Sequence, residues 1–235
     1  MVFISDADKG LKAAVEAEFP ASYHGMCVWH LSENVRTRFG AQAASFTFRL
    51  AKAKTEDAWL AVKEELRAVP NGPKAIEYLE KTEESRWVRC LFPYPRFGHT
   101  TSNIAESLNS VLRTIRGLPL LKMIDKIWLY IMTTRYKRKL SKHRGFLPNA
   151  GLNSYERRMK TGARFKVYPS GATIWQVEDL KGDRFVVQTE EGERCCDCFD
   201  PAEYGGPCAH LLAVIKAQNF DIADFFDWAY SIEAY

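Results

Sequence analysis

The residues best suited to chemistry crowd into one stretch. CCDCFDPAEYGGPCAH, Cys195 to His210, holds four of the six cysteines and one of the five histidines within sixteen residues. Cys196-x-Cys198, a nine-residue spacer and Cys208-x-His210 offer three sulfurs and one imidazole. That is a full tetrahedral donor set for Zn²⁺, with Zn–S near ~2.3 Å and Zn–N near ~2.0 Å. Four protein ligands leave no open position, so the expected ion is structural rather than catalytic. Cys195 adjoins Cys196, and strand alternation points the two to opposite faces. Cys195 is therefore expected to be spare; a register in which it replaces Cys196 is the alternative. A run of reduced, buried cysteines without metal is the competing account, and ligand type, spacing and flanks together argue against it. Cys27 and Cys90 stand alone in the sequence. MVFISDADKG does not read as a secretory signal, and clustered thiols in a reducing setting favour metal over disulfides.

Two carboxylates form a second candidate site. In FISDADKGL, Asp6 lies just past an apolar strand and before a helix. In HTTSNIAESLNSVLR, Glu106 sits on a helix whose apolar face is Ile104, Leu108, Val111 and Leu112. Two-metal phosphoryl transfer needs carboxylates converging from separate elements, because hard Mg²⁺ prefers oxygen ligands. From the residues alone the plainer account is the stronger: Asp is a common helix N-cap and Glu a common solvated helix residue. Cys27-x-x-His30 resembles half a zinc site, but no second half lies nearby in sequence. A packing and hydrogen-bonding role beside Asp6 is expected for it.

A basic block is the third feature. Between Arg113 and Arg144 there are ten Lys/Arg and one acid, Asp125, and the block is densest in RYKRKLSKHR. Arg135, Lys137, Arg138, Lys139, Lys142 and Arg144 are candidate phosphate contacts. A solvated helix face or a nuclear localisation signal would have the same composition. From Asp221 on the chain turns acidic and aromatic, with three Asp, one Glu and no base.

The elements that must position these residues follow from periodicity. Val2–Ser5 reads as a strand, and Lys9–Phe19 as a helix stopped by Pro20. Cys27–Leu31 reads as a second strand running into a helix. Ala41 to about Glu84 is helical in character, broken by Pro70-Asn71-Gly72-Pro73 into at least two helices. Phe92–Gly98 is a loop. Asn103–Ile115 and Leu120–Leu140 read as amphipathic helices. Gly145–Ser170 is weakly patterned, with one helix near Tyr155. TIWQVEDL, a Lys-Gly-Asp turn and RFVVQT make a hairpin. Gly205-Gly206 allow a return, and Pro207 favours a helix start that carries Cys208 and His210. Leu211, Leu212, Val214 and Ile215 would pack behind the metal. Trp29, Trp59, Trp87 and Trp128 are expected in cores. No apolar run approaches the roughly 20 residues of a membrane helix, so no membrane partner is expected.

The C-x-C…C-x-H order within a ββα unit resembles the SWIM zinc finger over about Phe165–Ala217. FFDWAYSIEAY is similar to the tail that follows this finger in Mutator-type transposases and their plant relatives. SDADKGLKAAVEAEFPASYHGMCVWHLSENV resembles the Mutator-like element (MULE) transposase domain, and TTSNIAESLNSVLR resembles its Glu-bearing segment. The resemblance implies an RNase-H-like fold with the second catalytic Asp at Asp6, the family's Cys-x-x-His pair at Cys27 and His30, and the catalytic Glu at Glu106. The 99 residues between the two acids match the family's helical insertion. A DDE-type enzyme uses two Asp and one Glu. Its first Asp falls upstream of Asp6, so the site is expected to be incomplete, and Mg²⁺ or Mn²⁺ is expected only where that site is completed.

The expected fold is α+β. A partial RNase-H-like α/β domain (1–115, helical insertion about 41–98) leads into a basic helical connector (116–164). A small ββα SWIM finger (165–217) and an acidic aromatic tail (218–235) follow. The expected protein is zinc-binding, DNA-associated, nuclear and transposase-derived, a fragment or truncated copy without catalysis of its own. A domesticated transcriptional regulator, or a module whose finger binds a protein partner, is the alternative.

Overall fold

The computed structural model describes residues 1–6, 9–140 and 149–230. It divides into two units, Met1–Leu108 and Asn109–Tyr235. The described residues are mixed helix and sheet, 56% helical with two sheets. None of its described helices is long and apolar enough to cross a membrane.

The first unit opens with β1 (Val2–Ser5), α1 (Lys9–Glu18) and β2 (Tyr23–Met26). β1 and β2 pair in parallel, with Val2 opposite Tyr23 and Ser5 opposite Met26. A parallel pair needs a crossover, and α1 supplies it. The second strand lies earlier than Cys27–Leu31: it ends at Met26, and Cys27 is the N-cap of α2 (Val28–Phe39). The apolar run is helical, not extended: Val28 and Leu31 share one buried face of α2, and an apolar run this short has no period that separates strand from buried helix.

Gly40, at φ +97°, turns the chain between α2 and α3 (Ala41–Ala51). Three helices fill the stretch to Glu84, in keeping with the expected break into at least two. Thr55 caps α4 (Glu56–Arg67) by accepting from the Ala58 N–H, and α5 (Gly72–Glu80) follows Asn71. A Cβ on Gly72 would meet the Leu66 carbonyl oxygen at 1.8 Å, so only glycine fits where α5 starts against the end of α4. Val28, Leu31, Val35, Leu50, Leu66, Leu79, Trp87 and Val88 are buried almost completely and form the core. Each such side chain contributes about 1.5–3 kcal/mol over leaving it in water. Trp59 only packs against this core, and Trp29 is exposed, contrary to the core expectation for both. Two short 3₁₀ turns, Glu84–Arg86 and Arg89–Leu91, lead through a loop to α6 (Asn103–Leu112).

In the second unit α7 (Leu120–Leu140) matches its expected span. Trp128 on it is 64% exposed and is not a core residue. α8 (Asn149–Gly162) is followed by β3 (Lys166–Pro169), β4 (Ile174–Glu178), β5 (Arg184–Gln188) and β6 (Cys195–Cys196). These form one antiparallel sheet in that order. The expected ββα unit is therefore enlarged by two edge strands and by α8. β3 escaped the pattern because it is four residues long and ends in Pro169, which fits an edge strand. A five-residue helix, α9 (Asp200–Tyr204), and α10 (Ala209–Gln218) complete the unit, with 3₁₀ turns at Ile222–Phe225 and Trp228–Tyr230.

Trp175, Val177 and Val187 point from the sheet onto Leu211, Leu212, Val214 and Ile215 of α10, and Tyr155 of α8 joins them. α8 meets α10 closely: a Cβ on Gly162 would lie 2.3 Å from the Ala209 carbonyl oxygen.

Candidate metal centre

β6 delivers the first pair of thiols. Alternation turns Cys196 inward, where it is buried, and leaves Cys195 exposed. Asp197 clamps the strand end: its N–H donates to Val186 O, and its carboxylate accepts from the Val186 N–H at 2.9 Å. Phe199 then takes a left-handed conformation (φ 57°), and its N–H closes on Cys196 O. This tight turn holds Cys198 beside Cys196. α9 and the left-handed Gly205 bring the chain back, and Cys208 becomes the N-cap of α10. Its Sγ accepts from the Leu211 N–H at 3.4 Å, so a helix N-terminus faces the sulfur. His210 lies in the first turn of the same helix.

The Cys196, Cys198, Cys208 and His210 donor atoms all lie within 4.8 Å of one another. It is the one such convergence of three or more His, Cys, Asp or Glu side chains among the described residues. His210 Nδ1 is 3.7 Å from Cys196 Sγ and 3.9 Å from Cys208 Sγ. A tetrahedron with Zn–S of ~2.3 Å and Zn–N of ~2.0 Å has S···N edges of about 3.5 Å. The group is therefore near the size a zinc ion would draw it to. The His210 ring stacks on Phe185, with centroids 3.9 Å apart, and on Phe165 at 5.2 Å. Sequence reasoning missed these two aromatics. Phe185 was legible as the inward neighbour of Val187 at strand period two; Phe165 carried no signal.

The electrostatics of the thiols fit a cation. Hydrogen bonds from the Cys196 and Cys208 thiols hold Cys198 far below the usual thiol range. The same bond to Cys198, then that to Cys208, then burial drive Cys196 far above it. Cys208 is pushed up to about 12: the bond from Cys196 opposes this, but donation to Cys198 and burial outweigh it. Three thiolates buried this close would repel one another, which opposes their ionising together in the bare group. A divalent cation removes that repulsion and lets all three ionise.

A second constellation lies in the first unit. Asp6 is exposed just beyond β1, where Ser5 O accepts from the Cys27 N–H at 2.6 Å. The Ser5 hydroxyl pairs with His24 Nε2 at 2.7 Å. Burial, and after it the Arg86 charge, pushes the His24 imidazole below its ordinary value. The Val28 N–H bonds Thr100 O, tying the start of α2 to the segment before α6. Cys27, fully buried, accepts from the Ser102 N–H at 3.3 Å. Ser102 Oγ lies 2.9 Å from Glu106 Oε1 and 3.5 Å from His30 Nδ1, and His30 Nε2 is 3.8 Å from Glu106 Oε1. Cys27, His30 and Glu106 thus meet around Ser102, while Asp6 borders them through the backbone of Ser5. Ser102 was not singled out in the sequence; its one signal is its place immediately before α6, four residues ahead of Glu106.

Of the basic candidates, Arg135 and Lys137 lie exposed on α7. Arg138 and Lys139 belong to the same helix, and Lys142 and Arg144 lie outside the described residues.

Comparison with protein families matches residues 1–34 to the MULE transposase domain. It matches residues 185–219 to the SWIM zinc finger. No curated protein and no solved structure matches the chain. The second match spans the four converging side chains, and the first spans β1, α1, β2 and the Cys27–His30 pair. One chain is therefore similar to the MULE transposase domain over residues 1–34 and to the SWIM zinc finger over residues 185–219.

Proposed function

We propose that this is a transposase-derived, DNA-associated nuclear protein whose finger is built around one structural Zn²⁺ held by Cys196, Cys198, Cys208 and His210. The convergence of those four donors within 4.8 Å carries the reading. Zinc supplies a cross-link between β6 and the start of α10. The protein supplies the thiolates, the N–H donor of Leu211 and the aromatic wall beside His210.

In the first unit, the parallel β1–β2 pair with its α1 crossover supports an RNase-H-like reading. Asp6 and Glu106 are its candidate carboxylates. They would hold Mg²⁺ or Mn²⁺ firmly only with a further carboxylate, since Mg²⁺ keeps its waters unless oxygens replace them. DNA contact is assigned to Arg135, Lys137, Arg138, Lys139, Lys142 and Arg144. The exposure of Arg135 and Lys137 supports it.

The test is duplex binding across a salt series. Neutralising Arg135, Lys137, Arg138 and Lys139 together is expected to shallow the log–log salt slope by up to about 3–4. An unchanged slope would assign the block to solvation or nuclear import. It would also shift the function toward a regulator or a protein-interaction module.

A further inference from the structure

We propose that Ser102 is a positioning residue that sets both the rotamer of Glu106 and the tautomer of His30. The inference rests on reading Glu106 as a carboxylate of a divalent-cation site. A serine hydroxyl has one proton to donate and two lone pairs to accept with. Three groups surround this one: Glu106 Oε1 at 2.9 Å, Cys27 Sγ at 3.3 Å and His30 Nδ1 at 3.5 Å. An ionised carboxylate at the shortest distance takes the proton, because a charge-assisted bond is the stronger one. The His30 Nδ1–H contact then runs inward to the hydroxyl oxygen, while Cys27 Sγ, an acceptor toward Ser102, takes the Ser102 N–H at 3.3 Å. The hydroxyl proton is committed to Glu106, and Glu106 and His30 are fixed by the one oxygen.

Two consequences follow. Glu106, on the first turn of α6 and half exposed, gives up its side-chain freedom before any ion arrives. His30, protonated on Nδ1, turns an unprotonated Nε2 toward Glu106 Oε1 at 3.8 Å. A nitrogen lone pair and a carboxylate oxygen then face one region of space, an arrangement that favours a cation between or beside them. The Cys27 thiol anchors the hub from the protein side: it is fully buried and also accepts from the Ser102 N–H.

The experiment uses the full chain with two readouts. The first is the His30 ring ¹⁵N spectrum without divalent ions. The Nδ1–H form is expected in the parent and in Ser102→Thr, and a shift toward Nε2–H, the form free histidine prefers, in Ser102→Ala. The second is Mn²⁺ affinity, followed by water-proton relaxation. Ser102→Ala is expected to weaken it about tenfold, as loss of a group orienting a ligand does. Ser102→Thr should stay within about twofold, and Glu106→Gln should abolish the specific binding. An unchanged tautomer and unchanged Mn²⁺ affinity in Ser102→Ala would overturn the positioning role. If Glu106→Gln leaves Mn²⁺ affinity intact, the cation-site reading fails, and the His30 tautomer alone then decides the role of Ser102.

Discussion

The two units solve the same problem, gathering distant polar side chains, with different means. In the second unit four donors from a single sixteen-residue stretch converge without a polar hub. In the first, Cys27, His30 and Glu106 gather around a hydroxyl, across a separation of 75 residues between Cys27 and Ser102. The cores differ in parallel. Trp87, Leu31, Leu50, Leu66, Leu79, Val28, Val35 and Val88 are the largest fully buried described side chains of the first unit; Leu211, Val177, Val187 and Val214 are those of the second. A helical unit with a large core can hold a polar network by packing. A small sheet-and-helix unit instead gathers three thiols and an imidazole at its centre, a donor set that fits a cation.

Zinc removal should divide the molecule most sharply. Cys208→Ser, or chelation, is expected to strip the metal and unfold the finger at a cost of several kcal/mol, since metal binding and folding are one event in such units. Hydrogen exchange should show protection lost over 165–218 and kept over α2–α5. Equal loss in both units would erase the contrast between them.

Acid should act next. In the bare folded group, hydrogen bonding to Cys198 and Cys208 and burial push the Cys196 thiol up, donation to Cys198 and burial push Cys208 up against the bond from Cys196, and zinc needs their thiolates. Binding therefore releases about two protons, and zinc affinity should fall up to about hundredfold per unit as pH drops below neutral. Competition titrations at two pH values would measure this. A pH-independent affinity would mean that the thiols are already ionised.

Gly162→Ala should cost about 1–3 kcal/mol in the second unit, because the new methyl would meet the Ala209 carbonyl from 2.3 Å. Zinc stoichiometry should stay at one in the folded fraction. Thermal unfolding with metal analysis would separate this packing effect from ligand loss. Cys195→Ser is the smallest change: within about 0.5 kcal/mol, as for an exposed surface site. Loss of zinc in Cys195→Ser, with retention in Cys196→Ser, would shift the ligand register by one.

The sequence alone determined what short-range rules control. Residue type and spacing marked Cys196, Cys198, Cys208 and His210, because all four sit within two turns of chain on either side of one return. Period two marked β4 and β5, and strand alternation separated Cys195 from Cys196. The bounds of α7 were legible to the residue, although most of the apolar residues expected on one face are exposed. Tertiary structure decided the rest. Trp29 and Trp128 look like core residues on helical spacing, yet which helix face is covered depends on neighbours distant in sequence. β3 and β6 exist because an edge strand takes its hydrogen bonds from a partner, and a four- or two-residue segment has no period of its own to read. Ser102 shows the same limit most plainly. Its hydroxyl acquires meaning only when α2 and α6 bring Cys27, His30 and Glu106 to within 3.5 Å of it, and no local pattern encodes an encounter between segments more than seventy residues apart.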